Sequence, residues 1–234
     1  MCPSSPSARA FSYPRTRPAG HSSRMLSGGI VLIVTALALF GAIAEDVVTG
    51  DRLTLLDKQL ANWLHVHARP ALTSGMLVFT ELHSLTGVVL ASTLVAILLY
   101  RQRHWFWLQA LALAVPGGML LNVVVKLAFA RARPSFSDPL LVLSTFSFPS
   151  GHAVSATVFY GVVGTFLASK IDGVGLRVLV LLAALLMVAL VSFSRIYLGV
   201  HYLSDVLGGV AEGIAWLAIC FTALYWIHGK RAAA

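Results

Sequence analysis

The sequence predicts an all-α, polytopic membrane protein, a six-helix transmembrane bundle with an outward-facing active site. Of the 234 residues, 58% are hydrophobic and 11% charged, against roughly 25% charged in an ordinary soluble domain. The apolar residues gather in runs at 25–44, 74–99, 105–130, 152–169, 175–194 and 203–227, near the ~20 residues that span a bilayer. The placement of Lys and Arg in the connections sets the orientation. The bundle takes residues 25–228 as one domain, between tails at 1–24 and 229–234.

Residues 1–24 are rich in Ser, Pro and Arg and are expected to form a disordered cytoplasmic tail, a topology signal able to touch anionic lipid. The first span, Met25 to Ala44, carries no charge. A signal peptide cleaved after Ala42-Ile43-Ala44 is the competing reading, and the full spanning length favours a retained helix. The segment from Asp51 to Arg69 repeats Leu53, Leu56, Leu60, Trp63 and Leu64 at helical spacing. It reads either as an amphipathic helix on the membrane that guides substrate or as a packed outer loop. The second span contains Glu81 and His83 and the sixth Glu212, where ionisable groups are expensive and face the bundle or water. Glu212 is expected as a neutral carboxyl bonded to a neighbouring helix. Gly209 and Gly213, four apart, predict a close helix contact, and Trp63, Trp105, Trp107 and Trp226 sit near span ends.

With the N-terminus inside, the cytoplasmic segments hold Arg9, Arg15, Arg17, Arg24, Arg101, Arg103, Lys170, Arg177, Lys230 and Arg231. The first outer loop sets Arg52, Lys58 and Arg69 against Glu45, Asp46, Asp51 and Asp57. The other outer cations are Lys126, Arg131, Arg133 and Arg195, a functional exception to the positive-inside rule. The net charge of +8 is spread over short inner loops and the tail, so a nucleic-acid partner is not expected. Cys2 and Cys220 offer neither a disulfide framework nor metal-ligand spacing.

Three polar clusters interrupt the apolar pattern. In Ser194-Arg195-Ile-Tyr-Leu-Gly-Val-His201-Tyr-Leu-Ser-Asp205, His201 and Asp205 are four apart. On one helix face the carboxylate can hold one imidazole nitrogen while the other meets substrate, and Arg195 supplies a fork suited to phosphate. Lys126 and Arg133 are seven apart, nearly two helical turns, and can reach one point. Phe148-Pro149-Ser150-Gly151-His152 places a hydroxyl, a glycine amide and a second imidazole at the start of an apolar helix, whose N-terminus favours an anion. Each cluster alone has a plainer reading: Ser150 as a helix cap, the cations as headgroup anchors, His201 with Asp205 as a structural pair. Together they describe phosphoryl chemistry.

At these residues the chain resembles the type 2 phosphatidic acid phosphatase superfamily, whose motifs are Lys-x6-Arg-Pro, Pro-Ser-Gly-His and Ser-Arg-x5-His-x3-Asp. All three stand complete here, from Lys126 to Pro134, Pro149 to His152 and Ser194 to Asp205. The resemblance implies a lipid phosphatase working through a phosphohistidine: His201 as nucleophile, Asp205 as its orienter and His152 as acid and base. Lys126, Arg133, Ser150, Gly151 and Arg195 then bind the phosphate. It implies no metal or other cofactor and no obligate protein partner. The partners are a lipid phosphate and the bilayer, in a cytoplasmic membrane with the site on the periplasmic or extracellular side. Undecaprenyl diphosphate, phosphatidylglycerol phosphate, phosphatidic acid and lipid A are all substrates compatible with the motifs. Soluble vanadium haloperoxidases share the motifs but lack the spans; a lipid phosphotransferase fed by a polyprenyl diphosphate and a non-catalytic scaffold are the remaining alternatives.

Overall fold

In a computed structural model, which describes residues 19–231, the chain folds into eight α-helices with no strand among the described residues: α1 (Ala19–Thr49), α2 (Arg52–Val66), α3 (Pro70–Leu82), α4 (Leu85–Arg101), α5 (Trp105–Phe129), α6 (Gly151–Ser169), α7 (Val174–Tyr197) and α8 (Leu203–Arg231). Five of them, α1, α5, α6, α7 and α8, are each long and apolar enough to cross a membrane, and α3 with α4, a bent pair, are long and apolar enough together for a sixth when counted as one span. Large apolar side chains such as Leu90, Leu120, Leu127 and Leu185 are exposed on the outside. Water would not tolerate so continuous an apolar exterior, whereas lipid solvates it. Of the tail expected at 1–24, residues 1–18 lie outside the described residues, as do 232–234, and residues 19–24 belong to the helix that starts at Ala19.

The helix α6 is the central post, packed against α5, α7 and α8, while α1 lies along α8. Its Ala153, Val154, Ala156, Val158 and Val162 are buried. The close contact expected at Gly209 and Gly213 is present: a Cβ on Gly209 would lie 2.6 Å from the Ser150 carbonyl oxygen, and one on Gly213 2.7 Å from Thr157 Cβ. These glycines let α8 lean directly on the backbone that starts α6. The first span continues unbroken through Ala42, Ile43 and Ala44 to Thr49, and Ile43 and Ala44 pack with Phe148.

The second crossing differs from the continuous helix expected over 74–99. It starts at Pro70, where proline at the first helical position follows an extended Arg69. It then breaks between Leu82 and Leu85 with a bend of 51°. The cause is local. The Ser84 side chain caps α4 by accepting the Gly87 N–H at 3.3 Å, and a Cβ on Gly87 would sit only 2.0 Å from the Leu82 carbonyl oxygen. His83 closes the corner, with Nδ1 on the Phe79 carbonyl and Nε2 on the Tyr160 hydroxyl, both at 2.8 Å. The bend leaves Thr80, only 4% exposed, facing the interior at the polar end of the bundle.

The segment after α1, expected either as an amphipathic helix on the membrane or as a packed outer loop, is a helix with one face packed on the bundle and the other exposed. Asp57, Ala61 and Leu64 are buried in it, whereas Leu55, Leu56 and Trp63 are exposed. It crosses the polar end of the bundle and touches both α7 and α8.

Candidate active site

The C-terminus of α5, the N-terminus of α6, the C-terminus of α7 and the start of α8 meet at one end of the bundle, bringing the three motifs together. His201 lies in the short turn between α7 and α8 and is 2% exposed. Its Nδ1 faces Asp205 Oδ2 at 3.3 Å, and its Nε2 faces Arg133 Nη1 at 3.1 Å. Burial holds the imidazole well below its usual range, against the opposing pull of Asp205. The neutral ring therefore donates Nδ1–H to the carboxylate and keeps a lone pair on Nε2, where Arg133 now donates. An acceptor that drew that N–H away would leave the Nε2 lone pair free.

Asp205 is fully buried in the first turn of α8, where a carboxylate suits the positive end of the helix. Its Oδ2 accepts the Tyr202 amide at 2.8 Å, a capping contact that fixes the side chain. The Ser147 hydroxyl also donates to Oδ2, and Arg131 Nη1 donates to Oδ1 at 2.6 Å. The Asp205 main-chain carbonyl accepts the Ser150 amide at 2.8 Å, tying the second motif to the third.

The cations expected to converge do so. Lys126 Nζ and Arg133 Nη2 donate to the same carbonyl, that of Phe146, at 2.8 and 3.0 Å. Arg133 is further braced by Thr145 and the Val200 carbonyl. Arg195 is 2% exposed and donates Nη1 to Thr80 Oγ1 at 2.6 Å. Lys126, Arg133 and Arg195 lie within electrostatic reach of one another, and His152 within reach of Arg195 and His201. The Thr80 main chain lies beside the His152 imidazole, so the bent second crossing touches both groups.

Ser150 precedes α6 in the N-cap position yet makes no side-chain cap bond, which removes the plain capping reading. Its hydroxyl is buried without a hydrogen-bond partner among the described residues, as is Arg195 Nε. Two buried, unspent donors beside two cations and the first amides of α6 form a cradle for an oxyanion. Gly151 opens that helix in a tight place, where a Cβ would stand 3.0 Å from Asn122 Oδ1. Glu212, 5% exposed, accepts from Asn122 Nδ2 at 3.0 Å, the inter-helix contact expected of it. Glu81 is exposed and His83 serves the bend. Among the described residues no group of three or more His, Cys, Asp or Glu has metal-holding geometry.

Several residues at this centre escaped the motif reading. Ser147 and Thr80 touch motif side chains, as does Arg131, which the sequence marked only as an outer cation, and Asp57 reaches Arg131 Nη2 at 2.9 Å from α2. Asp57 had a signal: it interrupts the stripe of Leu53, Leu60 and Leu64 on the buried side of an amphipathic helix, where a carboxylate must have a partner. Asn122 lies one turn before Lys126 on the same face. Thr80 had none, because its position depends on the bend.

The profile of the PAP2 superfamily matches residues 105–228. Phosphatidylglycerophosphatase B of Bacillus subtilis is 43% identical over 96 residues, 41% of this chain and 47% of that protein, so this match spans about half of that relative's length. Decaprenylphosphoryl-5-phosphoribose phosphatase of Mycolicibacterium smegmatis is 31% identical over 174 residues, covering 70% of this chain and 84% of the relative. The crystal structure of a transmembrane phosphatidylglycerolphosphate phosphatase from Bacillus subtilis matches with a TM-score of 0.69 at 29% identity, over 82% of this chain and 94% of the other. That of Aquifex aeolicus LpxE matches with a TM-score of 0.58 at 26% identity, over 71% and 94%.

Proposed function

Because the chain belongs to the PAP2 superfamily, we propose that it hydrolyses a phosphate mono- or diphosphate ester carried by a membrane lipid, through a phosphohistidine on His201. The observation that carries this reading is the pair of unpartnered buried donors, Ser150 Oγ and Arg195 Nε, beside an imidazole whose second nitrogen is oriented by a buried carboxylate. In the first step His201 Nε2 bonds to phosphorus and the lipid oxygen leaves, taking a proton from His152. In the second, water attacks the phosphohistidine, His152 accepts the water proton, and phosphate departs as His201 regains its lone pair. Lys126, Arg133, Arg195, Ser150 and the Gly151 amide hold the non-bridging oxygens, where transition-state charge is spread. With three cations placed there by the chain, the proposal is metal-independent chemistry.

An apolar groove of about 420 Å³, lined by Leu56, Gln59, Leu60, Trp63 and Leu203, runs between α2 and the start of α8. Its lining residue Leu203 stands two residues along the chain from His201, and its apolar walls support an amphiphile as substrate. The relatives' names point to unlike lipids, a phosphatidylglycerophosphate and a decaprenylphosphoryl phosphoribose, so the reading commits to the terminal phosphate and the bilayer rather than to one lipid.

The testing experiment is phosphate release by the purified chain from a panel of lipid mono- and diphosphates in mixed micelles, with EDTA and orthovanadate arms. Release from at least one lipid, unaffected by EDTA and competitively inhibited by vanadate, is expected, because vanadate can adopt the five-coordinate geometry of the transferring group. Activity lost in EDTA and restored by a divalent ion would refute the metal-independent reading. No release from any lipid would refute the phosphatase reading.

We further place the site on the periplasmic or extracellular face of a cytoplasmic membrane, since Arg101, Arg103, Lys170 and Arg177 stand at the opposite end of the bundle. An impermeant thiol reagent applied to intact spheroplasts is expected to label Ser137→Cys, on the site face, and to spare Asp172→Cys, between α6 and α7. Both positions are exposed. The reverse pattern would invert the topology.

A further inference from the structure

Asp57 and Asp205 are the two most deeply buried acidic side chains of the site, at 1% and 0% exposed, and they share one cation. Arg131 extends Nη2 to Asp57 at 2.9 Å and Nη1 to Asp205 Oδ1 at 2.6 Å. The two carboxylates come from different elements, α2 and α8, and the arginine from the strand of chain that leaves α5. Asp57 is itself fixed, accepting the Ser204 amide at 2.9 Å and the Ser204 hydroxyl. The Tyr202 ring covers the guanidinium at 4.5 Å. Burial works against the charge of Arg131, and the two carboxylates outweigh it, holding the guanidinium above its ordinary range.

The geometry matters because an arginine fork fits both oxygens of one carboxylate. In the structure Arg131 meets only Oδ1 of Asp205, because its other arm is taken by Asp57. The Oδ2 atom is thereby left to His201, Ser147 and the Tyr202 amide. Without the charge on Asp57, the second arm of Arg131 is released beside two acceptors, the Ser204 hydroxyl, which already accepts from Nη1 at 2.6 Å, and the Asp205 carboxylate, whose bidentate capture would set Oδ2 in competition with His201 Nδ1. The imidazole then loses the partner that fixes its tautomer and its aim.

We propose that Asp57 is a positioning residue for the reaction: by occupying one arm of Arg131, it confines the guanidinium to Oδ1 of Asp205 and reserves Oδ2 for His201. The helix α2, which lies outside all three motifs, is on this view part of the active site. The inference rests on the phosphohistidine reading.

The test is a double-mutant cycle on the full chain in mixed micelles, using the lipid on which the wild type is most active. Asp57→Asn is expected to lower kcat by about 10²-fold, the scale on which slight misplacement of a reacting group is felt, with KM within a few-fold because the phosphate-holding groups are untouched. In an Asp205→Asn background, where no Oδ2 remains to be captured, Asp57→Asn is expected to lower kcat by less than about threefold, the signature of coupled residues. Asp57→Ser, whose hydroxyl can still take the Ser204 amide proton, repeats the cycle should the Asn variant not fold. Equal fold losses in both backgrounds would make Asp57 a merely structural clasp and overturn the proposal, as would unchanged kcat or a loss confined to KM. An inactive wild type would bring down the phosphatase reading instead.

Discussion

His201→Ala is expected to lower kcat on every lipid phosphate by about 10⁴ to 10⁶, the scale on which loss of a nucleophile and its activating partner is felt. The group that contacts Nε2, Arg133 Nη1, cannot substitute for it, being a cation with no lone pair to offer. The protein should nevertheless remain folded, because Asp205 keeps Arg131, Ser147 and the Tyr202 amide when the imidazole is removed. Asp205 is then not left as a buried charge without partners, the usual reason such deletions unfold a protein. Asp205→Asn should be less damaging to turnover, since the imidazole remains but is held by a weaker acceptor. The measurement is kcat with monodispersity in detergent as the folding control. A folded His201→Ala protein with near-normal turnover would falsify the phosphohistidine mechanism.

The three motifs pointed to side chains that the structure brings to one end of the bundle, with Lys126 and Asp205 carried on helices and Arg133, Ser150 and His201 on the chain between them. Lys126 and Arg133 meet at one carbonyl although α5 ends at Phe129, and His201 pairs with Asp205 from the turn that precedes α8, so the shared helix faces expected for the two pairs are replaced by a helix end and the irregular chain beside it. The bundle was equally legible, since length and apolarity alone determine what a bilayer accepts. The bend in the second crossing was not read, although its signal was present: Ser84 and Gly87 are a cap and a close-approach glycine inside an apolar run. Hydropathy averages over both, so the run from 74 to 99 looked continuous. The contribution of α2 was half legible. Its helical stripe was visible, but a partner for Asp57 lies 74 residues away at Arg131, and no local pattern encodes that distance.

That bend bears on the second large effect expected, at His152. Thr80, brought inward by the break, bonds Arg195 through its hydroxyl and places its main chain beside His152. His152 is thus braced from a helix other than its own, as a group that must meet a departing oxygen needs to be. In the proposed chemistry its first task depends on what departs. A lipid monophosphate ester expels an alkoxide, a strong base that needs a proton in the transition state. A lipid diphosphate expels a lipid monophosphate, a far weaker base that needs less help. Positioned acid catalysis is typically worth about 10² to 10⁴ in rate, so His152→Ala should lose activity on a lipid monophosphate by an amount in that range and much less on the diphosphate of the same chain. The second task, activation of water, is common to both substrates and would mask the difference in steady state. The measurement is therefore single-turnover transfer of phosphate to His201 in mixed micelles, wild type against His152→Ala, with paired lipids. Equal losses on the two lipids would remove His152 from the leaving group. A loss seen only in steady state would leave it the water-activating role alone.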